Sequence, residues 1–157
     1  PILDAGCNCG DYLSLLKKEG FSNLHGIDIS PEALTYVKTH FDLSDVEIAI
    51  GSFEDTLPRF FRQDKKFRLV YSLGATLELV HPSFDIIGSL CRISETYVLL
   101  IINEWGHEYP RLWEYEFNKN GFLLVKCIRP FDGRKTVGDP INTDSLLVFM
   151  RICKGQS

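Results

Sequence analysis

What this chain lacks narrows the field before any motif is read. No apolar run approaches the ~18 residues that a membrane-spanning helix requires; the longest, Tyr97 to Ile102, has the length of one buried strand. No signal-peptide pattern stands at the start, which opens directly on Pro1-Ile2-Leu3-Asp4, so a cytoplasmic setting is expected and a membrane partner is not. Positive charge is not concentrated: 17 Lys and Arg face 21 Asp and Glu, for a formal net charge of −4. The densest basic spots, around Lys65-Lys66 and within 129–135, read as solvated loops. Nucleic acid is therefore not an expected partner, since it demands a gathered basic footprint, and a small molecule is. Cysteine is sparse and odd in number, five in all, at positions 7, 9, 91, 127 and 153. Most sit in apolar surroundings, as reduced thiols do and a disulfide framework does not. Cys7-Asn8-Cys9 has no second Cys or His pair at ligand spacing, so no metal is expected.

What remains is a chain of 157 residues, 45% hydrophobic, the size of one domain with a single core between sheet and helix layers. No repeat or low-complexity segment interrupts it. Strand-length apolar runs alternate with helix-period segments. Ile2 to Ala5 reads as a strand and Asp11 to Gly20 as a helix stopped by its glycine. Leu24 to Ile29 is a second strand, followed by a helix with Ser30 as N-cap and Pro31 at its first position, burying Ala33, Leu34, Val37 and Phe41. Val46 to Ile50 is a β-branched strand, and 52–66 reads as a polar loop carrying Pro58 and Phe60-Phe61. Leu69 to Leu73 and Tyr97 to Asn103 are further strands, with helices predicted over Phe84 to Ile93 and Trp113 to Asn120. Phe122 to Ile128 and Leu146 to Cys153 are then two strands with no helix between them. This rhythm predicts an α/β fold: a doubly wound, mostly parallel seven-stranded sheet closed by a C-terminal antiparallel hairpin.

The chemistry concentrates at the first two strand ends. Asp4-Ala5-Gly6-Cys7-Asn8-Cys9-Gly10 is a glycine-bearing turn between a strand and a helix, where backbone can approach a ligand and free N–H groups await an acceptor. Asp28 ends the second strand 18 residues past Gly10, where a carboxylate can accept from both hydroxyls of a ribose. Because Ser30 is placed to cap the next helix, Asp28 is left for that task. The glycines do not follow the G-x-G-x-x-G spacing of nicotinamide enzymes, which weighs against a dehydrogenase.

In sequence order these segments resemble the motifs of class I S-adenosylmethionine-dependent methyltransferases. Ile2-Leu3-Asp4-Ala5-Gly6-Cys7 with Gly10 is similar to the first motif, and Gly26-Ile27-Asp28-Ile29-Ser30-Pro31 to the acidic motif that follows. Gly51-Ser52-Phe53-Glu54 resembles the loop that cups the adenine, and Phe67 to Ser72 with Leu77-Glu78 resembles the fourth-strand motif. Asn120-Gly121-Phe122, ahead of the hairpin, is also typical. The resemblance covers essentially the whole chain and implies S-adenosylmethionine as cofactor. It implies that backbone around Gly6, Cys7, Asn8 and Gly10 lines the methionine part, with Asp4 near its ammonium. It places Asp28 on the ribose, Ile29 on the adenine face, Ser52 and Phe53 at the adenine edge, and a carbonyl of Ser72 or Leu73 toward the ammonium. Asn8 stands where the family has its middle glycine, Ser52 where it often has an acid, and Arg68 where an Asp is common; Asn tolerates left-handed backbone better than most residues.

Methyl transfer is an in-line displacement that asks chiefly for positioning, with a base where the acceptor carries a proton. Candidate bases follow the fourth and fifth strands: His81, Glu104 and His107. The fourth strand ends in Ser72-Leu73-Gly74-Ala75 and lacks the Asn/Asp-Pro-Pro-aromatic sequence used for planar amines. The expected function is methyl transfer to a small-molecule acceptor, the alternative being a cofactor-binding regulatory subunit. Residues 1–157 are expected to form one domain without the helical segment that family members carry ahead of the first strand. Apolar surface beside the central strands would then be poorly covered, or covered by a second copy in a homodimer.

Overall fold

The computed structural model describes residues 1–74, 77–104, 108–129 and 144–152. Seven strands, β1 (Ile2–Ala5), β2 (Leu24–Asp28), β3 (Glu47–Ile50), β4 (Phe67–Leu73), β5 (Ser94–Asn103), β6 (Phe122–Ile128) and β7 (Asp144–Arg151), form one sheet in the order β3-β2-β1-β4-β5-β7-β6. The first five run parallel, and β7 is antiparallel to both β5 and β6. The predicted doubly wound sheet with its C-terminal hairpin is what the chain adopts.

Helices α1 (Asp11–Lys18), α2 (Pro31–His40), α3 (Phe53–Arg62), α4 (Ile86–Ile93) and α5 (Trp113–Lys119) connect the strands. Alternating residues of β1, β4 and β5 (Leu3, Val70, Val98, Leu100 and Ile102) join α3, α4 and α5 in the larger core. A smaller core lies under α1 and α2, built on Leu13, Leu24, Val37 and Leu43. Within α2 only Ala33 and Val37 are buried; Leu34 and Phe41, predicted to be buried as well, are half-exposed at its margin.

The segment 52–66 departs from expectation, because most of it is helix α3. The Ser52 hydroxyl accepts from the Asp55 N–H at 3.2 Å and donates to its carboxylate at 2.8 Å, a reciprocal cap that starts the helix. Phe53, Leu57 and Phe60, spaced i, i+4, i+7, are buried against the sheet with Thr56. Pro58 removes one hydrogen bond and costs about 3 kcal/mol in a helix interior. Burial of three large side chains, at about 1.5–3 kcal/mol each, outweighs it. The many polar residues of 52–66 and its interior proline mask this periodicity in the sequence.

The two sheet faces are unequally covered. Leu13 of α1 lies over Gly26, and Gly26 opposes Asp4, which opposes Tyr71 on the same face. Farther along that face, Tyr97 of β5, Met150 of β7 and Leu123 of β6 lie directly across from one another and are 40%, 37% and 43% exposed.

Candidate functional site

In an open parallel sheet, ligands gather outside the carboxyl ends of the strands where the order reverses. Here that point lies between β1 and β4. A cleft of about 550 Å³ opens there, bounded by Gly6, Asp28, Ile29, Ser52, Gly74 and His81 among others. Its size is within the ~300–1,000 Å³ range of small-molecule and cofactor sites.

The turn after β1 shapes one wall. Gly6 and Cys7 both donate their N–H to the Ile27 carbonyl, at 2.8 and 2.9 Å, and Gly10 donates to the Cys7 carbonyl at 2.9 Å. This coil needs left-handed backbone at Gly6 (φ 91°), Asn8 (φ 44°) and Gly10 (φ 77°); Asn8 adopts the conformation that glycine takes elsewhere. A Cβ on Gly10 would come within 2.9 Å of Val37, so this turn can sit against α2 only if position 10 has no side chain. The Cys7 side chain turns into the smaller core, leaving its backbone to the turn, and burial pushes its thiol far above the usual range.

Asp28 joins this turn to the next. One carboxylate oxygen accepts the Asn8 N–H at 2.7 Å and the other accepts the Ser30 N–H at 2.9 Å. A carboxylate has about four acceptor positions, so each oxygen keeps capacity toward the cleft. Ser30 caps α2 through its own hydroxyl, accepting from Ala33 at 3.1 Å, as its sequence context predicts. Ile29 beside it is 71% exposed, an apolar plate at the cleft wall. Ser52 and Phe53 also line the cleft. The Ser52 hydroxyl is occupied in the α3 cap and the Phe53 ring lies in the core, which leaves mainly backbone for a ligand.

Asp4 lies beneath the turn, 2% exposed. Burial drives its carboxyl up to about 7; the neighbouring Tyr71 hydroxyl lowers it, and the charge of Asp28 raises it further. The Tyr71 hydroxyl is itself buried and makes no well-aligned hydrogen bond. Ser72 fastens β4 to β1, its hydroxyl donating to the Ala5 carbonyl at 2.7 Å. Leu73 ends β4, and Gly74 just past it donates to the Ile101 carbonyl at 2.8 Å and lines the cleft. Gly74 was missed in the sequence although a glycine directly after an apolar strand is the signal for such an approach. Leu79 and Val80, also lining the cleft, carried no such signal.

The candidate bases are separated. His81 lines this cleft, but the Ser83 backbone N–H donates to its Nδ1 at 3.2 Å. A backbone N–H can only donate, so Nε2 carries the ring proton and the neutral imidazole offers a donor. Glu104 lies elsewhere, its carboxylate held by Arg129 at 2.5 and 2.8 Å and by Ser145 at 2.5 Å. His107 lies outside the described residues. Among the described residues no group of three or more His, Cys, Asp or Glu is arranged to hold a metal, and no helix is long and apolar enough to cross a membrane.

A doubly wound sheet with a glycine turn, a strand-end aspartate and a nucleoside-sized cleft defines a Rossmann-like domain. Within that class, the family model of the methyltransferase domain matches residues 2–94, and the chain belongs to this family: it is a class I S-adenosylmethionine-dependent methyltransferase. Solved structures with this fold include a TehB-like S-adenosylmethionine-dependent methyltransferase from Corynebacterium glutamicum. It is 18% identical, with 96% of this chain and 79% of that one covered and a TM-score of 0.74. An S-adenosylmethionine-dependent methyltransferase from Mesorhizobium loti is 15% identical, covering 96% and 90%, with a TM-score of 0.74. Magnesium protoporphyrin IX methyltransferase from Synechocystis, solved with bound S-adenosylmethionine, is 15% identical, covering 96% and 69%, with a TM-score of 0.69. No curated protein matches this chain in sequence. Membership of an enzyme family leaves the regulatory-subunit alternative without support.

Proposed function

We propose that this methyltransferase modifies a small-molecule acceptor, working as a single domain over residues 1–157, with its cofactor in the cleft at the ends of β1 and β2. The observation that carries the placement is Asp28, whose two oxygens fix the Asn8 and Ser30 backbones while facing a cleft of cofactor size. In this reading Asp28 accepts from the ribose hydroxyls, and Ile29 packs on the adenine. Backbone of Ser52 and Phe53 meets the adenine edge. Backbone at Gly6, Cys7, Asn8 and Gly10 surrounds the methionine part, with the carbonyl of Ser72 or Leu73 toward its ammonium. Asp4 sits one layer below, close enough in sequence and space to supply negative charge under that cation. A cytoplasmic setting fits the free thiols of Cys7, Cys9, Cys91 and Cys127.

When bound, the cofactor supplies an electrophilic sulfonium methyl. The chain's own task is to hold both partners in line and exclude water, an effect worth several kcal/mol of barrier. A base role for Glu104 would require Arg129 to release it, and His81 in its present tautomer donates. Calorimetric titration with S-adenosylhomocysteine and NAD tests the cofactor placement, and a screen of labelled methyl transfer to small acceptors tests the substrate class. Binding of S-adenosylhomocysteine that Asp28→Asn weakens is expected. Stabilisation by NAD and none by S-adenosylhomocysteine would overturn the reading.

A further inference from the structure

A second cleft, about 690 Å³, opens at the carboxyl end of β5, bounded by Glu104, Arg111, Leu112, Tyr115, Lys119 and Arg129. It shares a wall with the cofactor cleft. The Arg111 guanidinium donates from Nη2 to the Val80 carbonyl at 2.7 Å, and Val80 lines the first cleft. Arg111 thus ties the segment after β4 to the segment after β5, both at the ligand end of the sheet.

Arg111 is an unusual side chain for a wall. Only 7% of it is exposed, yet its charge is incompletely matched. Glu116 stands 3.7 Å from Nη1, too far for a hydrogen bond, and Nε is buried with no hydrogen-bond partner. A buried donor left unmade costs about 1–3 kcal/mol, more when charged, so something that accepts from Arg111 would recover free energy on binding. The carboxylates already in the cleft are not that partner. Glu104 is spent on Arg129 and Ser145, and Glu114 is exposed at the rim. Beside these charged groups the lining offers accessible apolar surface: Leu112 is 73% and Tyr115 62% exposed, and Lys119 lies 5.9 Å above the Tyr115 ring.

We infer that this second cleft is the acceptor site, and that the acceptor is a small molecule with an apolar or aromatic body and an oxyanion that Arg111 binds. This rests on the cofactor placement proposed above. The oxyanion satisfies the guanidinium, Lys119 adds long-range attraction, and Leu112 and Tyr115 take the apolar body. The planar fork of Arg suits carboxylate and phosphate alike, so the shared feature is the oxyanion.

The test is ligand-observed NMR and calorimetry on the whole protein saturated with S-adenosylhomocysteine. The probes are benzoate, 4-hydroxybenzoate, 3-phenylpropionate and phenyl phosphate, each against its neutral amide or alcohol. Anionic probes should bind at least tenfold more tightly than their neutral counterparts, and the benzoate to phenyl phosphate ratio tells the two oxyanions apart. Arg111→Met should abolish that preference and Arg111→Lys should keep part of it. Because the acid-to-amide comparison is made in the unmodified protein, a variant that fails to fold does not spoil the result. Equal binding of acids and amides, with the cofactor product bound, would overturn this inference alone. Failure of the unmodified protein to bind S-adenosylhomocysteine would overturn the cofactor placement and this inference with it.

Discussion

Replacing Asp4 with Asn separates the cost of burying a carboxylate from the use the enzyme makes of it. The Asp4 carboxyl is raised from 3.8 to about 7, chiefly by burial. An acid with a raised folded pKa holds a proton that the unfolded chain has released, so folding takes up a proton between about pH 4 and pH 7. Stability must therefore fall as pH rises through that window and level off above about 7. A shift of about three units at about 1.36 kcal/mol each corresponds to roughly 4 kcal/mol across the window. Asn has no charge to bury, so Asp4→Asn removes this slope and should exceed the wild type in stability at pH 8 while nearly equalling it at pH 4.5. Urea melts of both proteins at half-unit steps from pH 4.5 to 8.5 measure the difference directly. In the cofactor reading the same group should ionise when a cation sits above the turn. Binding of S-adenosylmethionine at pH 6 should then release a fraction of a proton, visible as a buffer-dependent calorimetric enthalpy, and Asp4→Asn should lose that dependence. Parallel stability profiles for wild type and variant would refute the buried, protonated Asp4 on which all of this depends.

Asp28→Asn keeps the size of the side chain but offers only one acceptor oxygen; S-adenosylhomocysteine affinity should fall by about 2–3 kcal/mol, the scale of charge-assisted hydrogen bonds, in calorimetry. Some loss of melting temperature should accompany it, since the Asn8 and Ser30 N–H groups both lean on this carboxylate. Gly10→Ala should destabilise by about 1–3 kcal/mol, as overpacking does, because φ 77° is strained for alanine and its Cβ meets Val37 at 2.9 Å; denaturant melts would show it. Ser52→Ala removes the α3 cap and should cost about 1 kcal/mol, with an unchanged melting curve counting against α3. If the Tyr97, Met150 and Leu123 stripe is a self-association surface, Tyr97→Thr with Met150→Thr should lower the mass seen by light scattering at high concentration and leave a monomer intact.

The parts of this protein legible in the sequence are those where one residue type answers one backbone demand. Gly6, Gly10 and Gly20 all take positive φ, and each was placed by its position after a strand or helix. Ser30-Pro31 gave α2 its start, and the cap forms as the pattern requires. The continuous apolar run of β5 marks a strand inside the sheet, between β4 and β7; one face packs into the larger core at Val98, Leu100 and Ile102, while Glu95 and Tyr97 on the other face are exposed. What stayed hidden depends on contacts between distant segments. Pro58 argued locally against α3, and only the sheet beneath Phe53, Leu57 and Phe60 explains why the helix persists. The Ser72 hydroxyl could have faced the cleft by sequence; parallel pairing with β1 turned it onto Ala5.

The bases show the same division more sharply. His81 and Glu104 were chosen because they follow strands four and five, and both do lie at the ligand end of the sheet. Their chemistry was then set by neighbours that no spacing rule links to them: a backbone N–H two residues on for His81, and Arg129 and Ser145, 25 and 41 residues away, for Glu104. Arg111 had no motif to announce it. Its isolation from a full set of partners exists only once the segments after β4 and β5 are folded side by side, with Val80 within its reach. In a methyltransferase the cofactor half of the site answers to a ligand common to the family and is written in local motifs. The acceptor half is assembled from loops that share no pattern, so a single underpaired guanidinium between the two clefts says more about substrate than any stretch of sequence around it.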